Sequence, residues 1–242
     1  MKPRQLIGQV SLVCGCLFAL AGPAQADPLA DAAQAYHAGD YAKAEKLLRP
    51  LAKHGDAQAQ SALGHLFYDG KGVPRDHNKA ARWFHLAAAQ GDALAQYALG
   101  TMCGDGDGVP RDYKEAAKWY QLAAERGNAA AQSELGRMYK DGQGVSKNDT
   151  EAVKWCHLAA QQGSTGAQIE LAEMLWFGEG APQDHVRANM WLNIAAGHIT
   201  GSDKQQRIAE ILANETESMT PGEISEAQQL AKKCMADKFK GC

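Results

Sequence analysis

Residues 57–92 read AQAQSALGHLFYDGKGVPRDHNKAARWFHLAAAQGD, and residues 93–128 follow the same plan as ALAQYALGTMCGDGDGVPRDYKEAAKWYQLAAERGN. A third copy covers 129–164 and a drifting fourth covers 165–201, so the chain returns on itself every 36 residues. Gly64, Gly100, Gly136 and Ala172 fall in register, as do Trp83, Trp119, Trp155 and Trp191. Chance alternation in an alanine-rich chain does not return glycine and tryptophan at one fixed register.

Within a copy, apolar and small residues recur at helical spacing, first in Ala59, Ala62, Leu63, Leu66 and Phe67, then in Ala80, Trp83, Phe84, Ala87 and Ala88. Each copy is therefore expected to be two helices. Gly91, Gly127 and Gly163 suit helix ends, and Asp92, Asn128 and Ser164 just after them suit the next N-cap. Asp76, Asp112, Asn148 and Asp184 are placed to cap the second helices, and Asp112 with Glu115 and Asn148 with Glu151 read as capping boxes. Between the helices lies a glycine turn, as in Gly70-Lys71-Gly72-Val73, whose valine is expected to plug the helix pair from its end. Gly64 and its equivalents are expected to let two helices approach closely, with the tryptophans filling the space beyond.

Ala62-Leu63-Gly64, Phe67-Tyr68, Asp69-Gly70-Lys71-Gly72-Val73-Pro74, Asp76, Lys79-Ala80, Trp83-Phe84, Ala87-Ala88 and Gly91 together resemble the Sel-one-like repeat, over residues 57–200. That family is a relative of the tetratricopeptide repeat with a longer inter-helix loop. The resemblance implies an all-α fold, an α-α superhelix or right-handed helical-repeat solenoid, whose first helices line a concave face. The activity it implies is non-enzymatic binding of a protein or peptide partner, as a scaffold or adaptor.

Residues 27–56, with Ala35-Tyr36-His37-Ala38-Gly39-Asp40-Tyr41, look like an ordinary tetratricopeptide unit capping the N-terminal end. Residues 202–242 are expected to cap the other end with two helices, one over Lys204–Asn214 and one opened by Thr220-Pro221-Gly222-Glu223. The fourth copy departs from the pattern at Ala172, Ala181 and His198-Ile199, which leaves its last boundary open.

The chain of 242 residues carries 25 basic and 28 acidic residues with no basic block, so nothing in it points to nucleic acid or an anionic membrane. Lys2 and Arg4 precede an apolar stretch from Leu6 to Leu20, and Ala24-Gln25-Ala26 offers a signal-peptidase site, so residues 1–26 read as an export signal. The expectation is a periplasmic or secreted protein of the bacterial envelope, with no stable membrane insertion after cleavage. Cys16 lies too early in the apolar stretch to suit lipid attachment.

The motifs point to no catalytic chemistry. There is no Gly-x-Ser-x-Gly, no Ser-x-x-Lys and no zinc spacing, and Gly104-Asp105-Gly106-Asp107-Gly108 lacks the further ligands of a calcium loop. No cofactor is expected. Cys103 and Cys156 replace aromatic residues of other copies and read as core fillers, while Cys234 and Cys242 can pair if the chain turns back at Gly241. The alternatives kept are an envelope hydrolase of the β-lactamase or cell-wall amidase kind, and a purely structural spacer.

If the helices follow the tetratricopeptide register, the concave face receives Gln58, Ser61, His65 and Tyr68 from the first copy and Leu94, Tyr97 and Thr101 from the second. The third gives Ser133, Arg137 and Lys140, and the fourth Ile169, Glu173 and Trp176. The partner-binding candidates are His65, Tyr68, Tyr97, Arg137, Lys140, Ile169 and Trp176. Tyr97, Arg137 and Trp176 are the preferred anchors, because aromatics and arginine dominate interface energetics.

Overall fold

A computed structural model of the chain describes residues 27–198, 202–239 and 241–242. The export signal read in residues 1–26 and the open boundary at Ile199 lie outside the described residues. Within them are twelve helices and no strand. The N-terminal pair is α1 (Pro28–His37) and α2 (Tyr41–Lys53). Four repeats follow as α3 (Ala57–Asp69) with α4 (His77–Ala89), α5 (Ala93–Asp105) with α6 (Tyr113–Glu125), α7 (Ala129–Asp141) with α8 (Asp149–Ala160), and α9 (Thr165–Phe177) with α10 (His185–His198). The chain closes with α11 (Ser202–Thr216), longer at both ends than the sequence indicated, and α12 (Pro221–Ala236).

The helix boundaries follow from local hydrogen bonding. Asp92 closes one helix and opens the next: its amide donates to the Ala87 carbonyl, while its carboxylate accepts from the Ala95 amide at 2.7 Å. Asn128 and Ser164 do the same one and two repeats on. The second helices start on Asp76, Asp112, Asn148 and Asp184 as expected. The capping boxes at Asp112 and Asn148 form only by half, because Glu115 and Glu151 turn outward to Lys118 and Lys154. A complete box occurs at Thr220 and Glu223.

Packing inside a repeat rests on Gly64 and its equivalents. A Cβ at Gly64 would lie 2.5 Å from the Phe84 ring, and one at Gly100 2.6 Å from the Tyr120 ring. The space beyond the glycine is thus filled by the residue after each tryptophan, not by the tryptophan. Trp83 and Trp119 instead reach the cores on both sides of their own helix, joining one repeat to the next. Val73 and Val109 likewise touch two cores each.

Contact between repeats also rests on the second glycine of each turn. At Gly72, Gly108, Gly144 and Gly180 φ lies between 71° and 76°, and an added Cβ would meet the backbone of Tyr41, His77, Tyr113 or Asp149 at 2.1–2.5 Å. Each of those is the first residue of the second helix of the preceding unit. The turn therefore seats one unit on the one before it, and no side chain fits in the seat.

The curvature is read from which helices meet. α3 touches α5, α5 touches α7 and α7 touches α9, with no comparable contact between α4 and α6 or α6 and α8. The first helices thus lie side by side on the inner face.

At the far end α12 packs on α10 and joins its core through Ala227, Ala231 and Cys234. The outward positions Lys118 with Leu122 and Lys154 with Leu158 become Met190 and Ile194 in α10, and both are buried. Cys234 and Cys242 form a disulfide. The reversal that allows it uses Lys238 and Phe239, both at positive φ, as well as Gly241. The Cys242 carbonyl then sits 3.0 Å from His157 Nε2 on α8. His157 is therefore partly covered, whereas its equivalent two repeats earlier, His85, is exposed.

Candidate functional site

The inner face carries the predicted residues, but most are already engaged. Tyr68 stacks on His77 with ring centroids 4.8 Å apart, and its hydroxyl donates to Asp107 at 3.2 Å. Trp176 stacks on His185 at 4.1 Å and packs on the last core, which Ile169 also joins. Lys140 reaches from α7 to Glu170 at 2.7 Å and Glu173 at 3.2 Å on α9; burial works against its charge, and the two carboxylates outweigh burial and raise its affinity for the proton. Ser61, placed on the face by register, is buried. Trp176 and Tyr68 are thus fastened to the chain itself, which weakens Trp176 as a free-standing anchor.

Two openings on this face lie among the described residues. His65 borders a mostly apolar groove of about 380 Å³ between α1 and α3, with Tyr36, His37 and Ala62; burial lowers the imidazole's affinity for the proton. The other, of about 330 Å³, brings together Tyr97 and Arg137, two of the three preferred anchors. Its floor is a relay in which the Tyr120 hydroxyl donates to Thr101 Oγ1 at 3.2 Å and that hydroxyl donates to the Tyr97 carbonyl at 3.3 Å. Burial holds the Tyr120 phenol protonated. On one wall Glu134 binds the Arg137 guanidinium at 2.7 Å, which keeps it charged; on the other Arg111 is tied to the Asp105 carbonyl at 2.8 Å.

Sel1 repeats match residues 57–92, 93–128, 129–164 and 165–197, four consecutive units that span more than half the chain. This chain belongs to the Sel1 repeat family. Among solved structures it is similar to c5321, a protective antigen of uropathogenic Escherichia coli with an SLR fold, at 31% identity and a TM-score of 0.71. That likeness covers 89% of this chain and 49% of c5321, so the chain spans about half of that protein. It is similar to a Sel1 repeat protein of Oxalobacter formigenes at 28% identity and a TM-score of 0.72, covering 85% and 84% of the two chains. A comparison with curated proteins finds no match. Sel1 repeat proteins generally mediate protein–protein interaction, typically as non-enzymatic scaffolds.

Burial pushes the Cys156 thiol up to about 12 and raises that of Cys103, so both stay protonated and inert as nucleophiles. Among the described residues no group of three metal-ligating side chains converges, and no helix is long and apolar enough to cross a membrane.

Register reading alone missed Tyr113, Arg111 and Glu134, which complete the Tyr97–Arg137 cleft. A signal for Tyr113 was available. Positions nine apart pair as Tyr68 with His77, Gly104 with Tyr113, Lys140 with Asp149 and Trp176 with His185, in one register across the four repeats.

Proposed function

We propose that this protein is exported to the bacterial envelope and acts there as a scaffold or adaptor, holding an extended segment of a partner protein along its inner face. The observation that carries the reading is the cleft of about 330 Å³ on the inner face, which brings together Tyr97 and Arg137. Extended segments suit such a face because a solenoid offers a row of equivalent positions rather than one deep hollow. Residues 1–26 supply the address, and the disulfide of Cys234 with Cys242 suits an oxidising compartment.

The test is selection of randomised peptides on the immobilised protein, followed by measurement against Tyr97→Ala/Arg137→Ala. Recovered peptides are expected to bind that variant at least about tenfold more weakly while its helical circular dichroism stays unchanged. Peptides held equally well by the variant would move the site off this face. Made in a Gram-negative host, the protein recovered from the periplasm should begin at Asp27.

A further inference from the structure

Gly104 is a glycine the fold does not need. It lies inside α5, its φ is not in the left-handed region, and a Cβ built on it would meet only the Ala116 methyl, at 4.0 Å. Contrast Gly100 one turn earlier, where a Cβ would collide with the Tyr120 ring at 2.6 Å. Glycine inside a helix is less stable than alanine there, so an unforced one is a standing loss of stability.

What Gly104 does is leave a place open. In the first and last repeats the residue at this register is an aromatic that stacks on an imidazole from the second helix: Tyr68 on His77 and Trp176 on His185. In the second repeat the first helix offers no side chain and the second helix offers Tyr113, 37% exposed, on which no ring of the described residues stacks. The space where that ring would lie is the cleft of about 330 Å³. Polar groups stand around it: Arg111 is tied through two nitrogens, leaving one free, and the Asp105 carboxylate forms no ion pair among the described residues.

We infer that this cleft is a specificity pocket for one aromatic side chain of the bound partner, which stacks on Tyr113 in the place that Tyr68 and Trp176 fill in their own repeats. The occupant is a tyrosine, whose hydroxyl accepts from Arg111 or donates to Asp105, or a tryptophan, whose indole N–H donates to Asp105, while its ring lies on Tyr113. The pocket rests on the proposed role of the inner face, and it adds which residue type that face selects.

The experiment titrates N-acetyl-tryptophanamide, N-acetyl-tyrosinamide, N-acetyl-leucinamide and N-acetyl-argininamide into the purified protein, followed by amide NMR shifts. The two aromatic amides are expected to give saturable shifts at Thr101, Gly104 and Arg137, with leucinamide and argininamide about tenfold weaker. Gly104→Ala, which adds a methyl without filling the cleft, should bind as the parent does. Gly104→Trp should place the chain's own ring on Tyr113, raise Tm by about 3 °C and abolish the shifts; Tyr113→Ala should abolish them without that gain. Equal binding of leucinamide or argininamide, binding that survives Gly104→Trp, or no saturable shift with either aromatic amide would each overturn the pocket. Selected peptides that share no aromatic residue and ignore Gly104→Trp would leave the inner-face role standing without it. Aromatic amides held at Gly104 when no peptide is selected would do the reverse.

Discussion

The second and fourth repeats share a backbone plan and treat their surfaces in opposite ways. In the second, Gly104 leaves Tyr113 bare on the inner side, and Lys118 and Leu122 face outward into solvent. In the fourth, Trp176 covers His185 on the inner side, and Met190 and Ile194 take the outward positions beneath the C-terminal helices. The shared positions make the solenoid; the positions that vary decide which copy meets something outside the chain and which meets the chain's own end.

The sharpest test of what is shared concerns the seats. Gly180→Ala and Gly108→Ala both force a Cβ into backbone at positive φ, and each is expected to cost about 4 kcal/mol, read from chemical denaturation. Gly127→Ala, also at positive φ but with nothing within 4 Å of its Cβ, should cost only about 1 kcal/mol. Equal losses at all three would mean that backbone conformation, and not the seat, holds the units together.

The covered end of the fourth repeat should respond to pH through a buried carboxyl. Glu215 on α11 is buried, its Oε2 has no partner, and burial together with the nearby Glu173 carboxylate raises its pKa to about 7 from the ordinary 4.5. Between those values the folded chain holds a proton that the unfolded chain has released. The stabilisation is therefore full below about pH 4.5 and is lost as pH rises through about 7. Glu215→Gln should remove that loss, raising stability at pH 8 by at most about 3 kcal/mol and changing little at pH 4, measured by thermal unfolding across the range.

The smallest effect separates the two inner surfaces. Trp176→Ala strips a stacked, half-buried ring from the fourth repeat and should cost about 2 kcal/mol. Tyr113→Ala removes a ring on which no other ring of the described residues stacks, and should stay within about 0.5 kcal/mol of the parent. A large loss at Tyr113 would show that its ring is structural after all.

What the sequence made legible is what local chemistry decides. Asp92, Asn128 and Gly91 announced helix ends because caps and left-handed turns involve neighbours a few residues apart, and the returning register multiplied each signal four times. The side chain after each tryptophan that fills the space at the helix glycine, the glycine seated on the preceding unit and the outward turn of Glu115 depend on how helices far apart in sequence face one another. Periodicity places a residue on a face without saying what stands across from it. The inner-face candidates show the same division: the register reading pointed to a shared face, yet Lys140 and Trp176 meet partners that only the packed structure reveals, while Tyr97 and Arg137 line a cleft, Arg137 held there by Glu134.

The dependence of α12 on Met190 and Ile194 also constrains how such a chain can lengthen over evolutionary time. A duplicated unit inserted among the first three would reproduce Lys154, Leu158 and a glycine seat, and its neighbours would accept it unchanged. Inserted after the fourth, it would present a lysine and a solvent-facing leucine to helices shaped for a methionine and an isoleucine, so growth by duplication is open only to the interior.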